Sequence, residues 1–220
     1  MAILTLSREF GSEGDWIAQK VAQEMGYHLV DKTFVGEIMN QYGMIEFSSE
    51  YETAPSFLEM FNTRATERRN LMIDMLNRTL CAVAHHGNVV IVGRSGFAVL
   101  AGLTDVVHVR VQAPLSIRTL RVAERHHLSI TQAENMVKEY DRLRSAFVDA
   151  FYNLDWNASH CFDVVINSDR IPPDMAVGWL VDALKAVDQK MIHEPPSAAG
   201  LKVDPLLSEA VFAAYNKKAA

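Results

Sequence analysis

Apolar positions along the chain follow two rhythms. Short, nearly unbroken apolar runs occur at Ile3–Leu6, Tyr27–Val30, Asn88–Val92, Val106–Val111 and Cys161–Ile166, and they read as strands. Between them, apolar residues recur at three- and four-residue steps, the period of an amphipathic helix. That period predicts helices over Asp15–Met25, Lys32–Tyr42, Thr63–His86, Pro114–His127, Thr131–Asn153 and Pro172 or Pro173 to Lys190. The stripe of the long third helix is read as Leu71, Met75, Leu76, Leu80, Val83 and Ala84. Gly26 and Gly87 are placed to end helices, and Thr131-Gln132-Ala133-Glu134 has the form of a capping box. Met44–Met60, with Pro55, has no clean period and reads as a mobile excursion.

Strands alternating with helices predict an α/β fold, a doubly wound three-layer sandwich on a five-stranded parallel sheet. Residues 1–190 form that domain, 191–203 with Pro195-Pro196 read as a linker, and 204–217 as a last helix. Leu206, Leu207, Ala210, Val211 and Ala214 make one side of the last helix apolar, so it docks back or supports a homo-oligomer. With 49% apolar residues in 220, the chain can fill a sizeable core. Its net charge of −6 argues against nucleic acid or an anionic membrane as main partner. Cys81 and Cys161 stand apart and are expected reduced; no basic-then-apolar leader and no ~20-residue apolar run is present, which predicts a cytoplasmic protein.

The candidate chemistry begins between the first strand and helix. Arg8-Glu9-Phe10-Gly11-Ser12-Glu13-Gly14-Asp15 is a tight glycine turn entering a helix, where backbone N–H groups and the helix dipole favour phosphate. The spacing is close to a Walker A loop without its Lys-Ser/Thr ending. Asp31 and Arg94 stand at C-terminal strand ends, the ligand edge of an open α/β sheet. Asp31 is equally a helix cap, and Arg94, between glycines, is a ligand group or a surface ion pair. Arg64, Arg68 and Arg69 crowd a helix start that the dipole disfavours for cations; either an anion lies nearby or the face is solvated. Arg118, Arg121 and Arg125 share a helix face, with Arg142 and Arg144 on the next helix. They read as a polyphosphate clamp, or as partners of Glu124, Glu134, Glu139 and Asp141. His126 and His127 have no third ligand, so no metal site is read, and 151–156 is an aromatic knot read as packing.

The ordered set Ser7–Ser12, Tyr27 through Asp31-Lys32, Val90–Arg94, His108–Arg110 before Ala113-Pro114, Asp141 with Arg144, Asp155-Trp156 and Asp163–Asn167 resembles the cytidylate kinase-like family of P-loop proteins over about residues 1 to 190. The resemblance implies a P-loop kinase fold and transfer of a phosphoryl group from ATP, with Mg²⁺, to a nucleotide such as CMP. It puts Arg8, Gly11, Ser12, Glu13, Gly14 and Asp15 in the phosphate loop, and Asp31, Arg68, Arg94 and Asp141 toward the acceptor. Arg94, Arg118, Arg121 and Arg144 would supply catalytic positive charge. Relatives tend to show Gly-Ser-Gly-Gly-Arg where this chain has Gly11-Ser12-Glu13-Gly14-Asp15. A carboxylate ~4 Å from a phosphate charge costs about 1 kcal/mol in water and about 4 at an effective dielectric of 20. Two acids therefore predict weakened ATP binding. The competing expectation is a catalytically inactive P-loop protein that senses a ligand or binds a protein.

Overall fold

A computed structural model describes residues 1–41, 63–190 and 195–219. The excursion expected over 44–60 and part of the linker lie outside them. Among the described residues five strands, β1 (Ile3–Arg8), β2 (His28–Val30), β3 (Val89–Val92), β4 (Val106–Gln112) and β5 (Val164–Asn167), form one parallel sheet in the order β2-β3-β1-β4-β5. β1 is central, with Ile3 registered against Val89 on one side and Val106 on the other. All C-terminal strand ends therefore open on one edge.

The helices are α1 (Gly14–Met25), α2 (Lys32–Gln41), α3 (Thr63–His86), α4 (Gly96–Val99), α5 (Leu115–His126), α6 (Ile130–Tyr152), α7 (Pro173–Lys190) and α8 (Pro205–Ala219). Successive strand residues point to opposite faces. Leu4, Leu6, Val90, Val92, Val107 and Val109 pack with α1 and α7, while Ile3, Val89, Ile91 and Val106 pack with α2, α3 and α8. This is the three-layer sandwich the periodicity predicts. Gly26 and Gly87 end α1 and α3 with φ of 65° and 67°.

The differences from the sequence reading have local causes. Leu71 is 59% exposed, and Met72 takes its place in the core. Met72 lies one helical turn before Leu76, whereas Leu71 lies about 140° round the helix from it. The capping box of α6 is Ser129 with Gln132, not Thr131 with Glu134: the Ser129 hydroxyl accepts from the Gln132 amide. β5 begins at Val164 because residues 159–161 form a 3₁₀ turn.

The last helix returns to its own domain. Leu207, Val211, Ala214 and Tyr215 join the core beside Phe34, Leu76 and Leu80. Tyr215 stacks on His28 with ring centroids 4.1 Å apart, and the Asp105 carboxylate accepts from the Ala198 amide at 2.8 Å, tying down the approach. Asp204 caps the helix by accepting from the Leu206 and Leu207 amides. The apolar side on which self-association was expected is thus covered within the chain, while Leu206 and Phe212 remain exposed. No described helix is long and apolar enough to cross a membrane.

Leu207 is 2% exposed and Leu206 68% exposed. Leu207→Ala should destabilise by about 2–4 kcal/mol in urea unfolding, and Leu206→Ala by no more than about 0.5 kcal/mol.

Candidate phosphate-binding cavity

β1 must turn into α1 within the five residues Glu9–Glu13. Gly11 adopts φ 81°, and a Cβ there would meet Val122 and the Arg118 carbonyl at 2.9 and 3.0 Å. Buried Ser12 donates its hydroxyl to the carbonyls of Glu9 and Val111 at 2.8 and 3.1 Å. The amides of Glu13, Gly14, Asp15 and Trp16 form no hydrogen bond to another described residue. They are the unpaired N–H groups of a helix start, facing the sheet's ligand edge.

The loop is held from beneath by charge. Arg118, 6% exposed, donates to the carbonyls of Ala113 and Phe10 at 2.8 and 3.2 Å and to Asp141 at 2.6 Å. Asp141 accepts from the Phe10 amide at 2.9 Å. Glu9 accepts from the Ala113 amide at 3.0 Å and lies 3.2 Å from Arg118. Arg110 is 2% exposed; it donates to the Trp156 carbonyl, lies over the Trp156 ring at 4.3 Å, and approaches Glu9 at 3.8 Å. Burial lowers the pKa of Arg110, while Glu9, Asp141 and Asp155 oppose the shift. Trp156 in turn donates its indole N–H to Ser7 at 3.1 Å.

The two loop acids are not bare. Asp15 accepts from Arg8, its Oδ1 3.0 Å from Nε and 2.8 Å from Nη2. Glu13 accepts from Arg125 through both carboxylate oxygens at 2.7 and 2.9 Å. The expected repulsion between loop and anion is therefore offset at each acid by its own guanidinium.

Three residues near the cavity hold left-handed backbone angles that side chains disfavour: Glu13 (φ 64°), Arg94 (53°) and Ser95 (55°). Glu13 and Ser95 are the N-caps of α1 and α4, and the other non-glycine examples, Asn88, His127 and Asn153, likewise stand at element ends. Local strain of this kind is maintained where surrounding contacts over-determine it, and it concentrates at ligand sites.

A cavity of about 630 Å³ opens on the strand ends. Arg8, Lys32, Arg94 and Arg144 line it with Asp15 and Asp31, a surplus of two positive charges in a chain of net charge −6. Phe10, Phe97, Tyr140 and Trp156 supply aromatic wall. Phe10 and Tyr140 stack with centroids 4.5 Å apart, and the Arg144 guanidinium lies 5.7 Å from the first ring and 6.0 Å from the second. Ser95 also lines the cavity; it is 3% exposed, and its hydroxyl has no hydrogen-bond partner among the described residues.

Of the residues singled out in the sequence, Arg8, Asp15, Asp31, Arg94 and Arg144 come together on this wall. Asp31 is also a helix cap, accepting from the Phe34 amide at 2.9 Å. Gly11 and Ser12 shape the loop, while Arg118 and Asp141 support it from below. Arg121 turns away and donates to the hydroxyl and carbonyl of Ser168 at 3.1 and 2.9 Å. Arg68 is exposed on α3 and is not part of the cavity wall; the Arg64 side chain lies outside the described residues. Exposed Arg142 pairs with Glu139, as the ion-pair reading expects. Sequence reasoning passed over Ser7, Glu9, Phe10, Arg110, Tyr140 and Trp156 as individual site residues. The signal for most of them was their place in the motif blocks, which carries no geometry.

Comparison with known proteins agrees with this architecture. The model of the cytidylate kinase-like family matches residues 3–170. Cytidylate kinase of Sulfurisphaera tokodaii is 31% identical over 141 residues, covering 63% of this chain and 76% of its own. Cytidylate kinase of Ignicoccus hospitalis is 28% identical over 178 residues, covering 80% and 95%. Among solved structures, an uncharacterized protein from Eubacterium ventriosum aligns with a TM-score of 0.64 at 20% identity, over 84% of this chain and 99% of its own. Shikimate kinase from Bacteroides thetaiotaomicron aligns at 0.50 and 13% identity, over 84% and 98%. At these identities the solved structures speak to fold.

Arg118→Ala would leave Asp141 and Glu9 with only the more distant guanidinium groups of Arg144 and Arg110, at 3.7 and 3.8 Å, in a largely buried setting. It should lower stability by about 3–5 kcal/mol in urea unfolding, against about 1 kcal/mol for Arg121→Ala, which loses only the Ser168 bonds.

Proposed function

The chain belongs to the cytidylate kinase-like family, and we propose that it transfers a phosphoryl group from ATP to a nucleotide acceptor of the cytidylate type. The family and its cytidylate kinase relatives support a nucleotide kinase in general terms. The observation that carries the finer reading is the convergence of Arg8, Arg94 and Arg144 on one cavity that Asp15 also lines, at the helix start whose first amides are unpaired.

In this reading the donor phosphates accept from the loop amides, whose direction is set before binding by the Arg118–Asp141 support. Phosphoryl transfer asks a protein for position and for positive charge on the phosphoryl oxygens rather than for covalent help. Arg94 and Arg144 provide that charge from the cavity lining. Arg144 also donates to the Arg8 carbonyl at 3.3 Å, which ties its position to the end of β1. Arg118 and Asp141 act as positioning residues. Asp31, Lys32 and the Ser95 hydroxyl face the acceptor. Asp15, with its side chain 68% exposed on the cavity wall, presents a hard oxygen ligand of the type Mg²⁺ takes together with phosphates. When bound with the polyphosphate, Mg²⁺ supplies further charge neutralisation. Arg68 and Arg121 have no part in this arrangement as placed.

A second reading is favoured by one observation: Arg8 and Arg125 are already occupied by Asp15 and Glu13. A loop neutralised by its own acids suits a nucleotide sensor as well as a kinase.

Calorimetric titration with Mg-ATP and with CMP, beside a coupled phosphotransfer assay, separates the readings. The kinase predicts turnover, and Arg94→Ala should lower kcat/KM for CMP by about 10–100-fold, the worth of one charge-assisted bond to phosphate. Binding without turnover selects the sensor, and no binding of either nucleotide at millimolar concentration rejects both.

A further inference from the structure

The two acids that distinguish this loop form dissimilar pairs. Glu13 sits at a constrained backbone angle, its side chain 17% exposed, and both its oxygens are taken by Arg125. Asp15 is different: its side chain is 68% exposed, it lies on the first turn of α1, and only Oδ1 is engaged by Arg8. A Cβ on Gly93 would collide with the Arg8 guanidinium, so Arg8 spans the cavity floor from β1 to the turn that carries Arg94. Both Arg8 and Asp15 line the cavity, as does Ser95 with its buried, unpartnered hydroxyl. Among the described residues no group of three His, Cys, Asp or Glu side chains could hold a metal ion. The described residues therefore offer no cage for a divalent cation, which would have to arrive with oxygen ligands of its own.

Resting on the phosphate-cradle reading, we propose that Arg8 and Asp15 form an exchange pair that makes polyphosphate binding conditional on a divalent cation. Unliganded, Asp15 occupies the guanidinium fork that a phosphate oxygen would take. A polyphosphate without metal must displace a carboxylate that has no new partner, and it leaves that negative charge beside its own. A metal–polyphosphate offers both partners at once: Arg8 turns from carboxylate to phosphate, and Asp15 turns from guanidinium to the cation. Two ion pairs replace one, with no charge left uncompensated. Glu13 does not take part, because its two-oxygen contact with Arg125 lies on the α5 side of the loop and Glu13 is absent from the cavity wall.

Inorganic tripolyphosphate tests this without any nucleobase or turnover. Its affinity is measured by calorimetry with and without Mg²⁺ for the full chain, for Asp15→Asn and for Glu13→Gln; thermal melting confirms that each variant is folded. The native chain should bind the magnesium form at least about tenfold more tightly than the metal-free form. Asp15→Asn should bind metal-free tripolyphosphate at least about fivefold more tightly than the native chain, the scale of one half-exposed ion pair, and should lose most of the metal enhancement. Glu13→Gln, which removes the same charge from the same loop, should keep the enhancement. Equal metal enhancement in the native chain and Asp15→Asn overturns the exchange, as does loss of enhancement in both variants alike. No binding by the native chain or Asp15→Asn under any condition removes the phosphate cradle itself, and the exchange with it.

Discussion

The interaction on which the site depends is the bond between Arg118 and Asp141. Each partner also holds one end of the Phe10 peptide: Asp141 takes its amide and Arg118 its carbonyl. A five-residue connection between strand and helix has few hydrogen bonds of its own, and here the missing ones come from side chains of α5 and α6. The loop is thereby fixed to the helix pair on one side of the cavity, while Ser12 and Glu9 fix it to the end of β4. A change in the angle of α5 and α6 therefore changes where the loop amides point. The Phe10–Tyr140 stack and the Arg144–Arg8 bond bind the same elements a second time.

Electrostatically, the site combines opposites. It collects arginines in an acidic chain, then occupies two of them with acids in the loop. Charge excess and backbone strain coincide there: Arg94 and Ser95 on one wall and Glu13 at the helix start all hold φ near +60°. Such angles persist only where surrounding contacts over-determine them. Each of the two loop carboxylates, Asp15 and Glu13, has a guanidinium within hydrogen-bond distance, which offsets its negative charge.

Much of the architecture is legible in the apolar pattern because burial on two sheet faces leaves a strong trace. The run from Asn88 to Val92 had to be a buried strand, and the period from Thr63 to His86 matches its helix end to end. The β1–α1 turn and the cavity positions of Asp31 and Arg94 follow from topology, since a parallel sheet places its ligand edge at the C-terminal strand ends. What could not be read is which arginine does what. Arg118, Arg121 and Arg125 share a helix stripe and look equivalent as letters, yet one is buried under the loop, one holds Ser168 and one pairs with Glu13. Of their partners only Asp141 was among the acids the sequence offered; the carbonyls of Phe10, Ala113 and Ser168 and an acid 112 residues away leave no local signature. Trp156 read as packing for the same reason: its hydrogen bond to Ser7 crosses 149 residues. The last helix was ambiguous because an apolar stripe fits a partner copy or its own domain equally well. The Leu207 and Tyr215 contacts supply the answer for that stripe.

The central claim is that the Gly11–Asp15 turn is a working phosphate cradle despite its acids. A crystal structure with Mg²⁺ and a non-hydrolysable ATP analogue tests it most directly. Phosphate oxygens should accept from the amides of Gly14, Asp15 and Trp16, with the Arg8–Asp15 pair opened and Arg94 and Arg144 turned toward the terminal phosphate. Phosphates bound elsewhere, with the Arg8–Asp15 and Arg125–Glu13 pairs intact and the loop amides untouched, would contradict it.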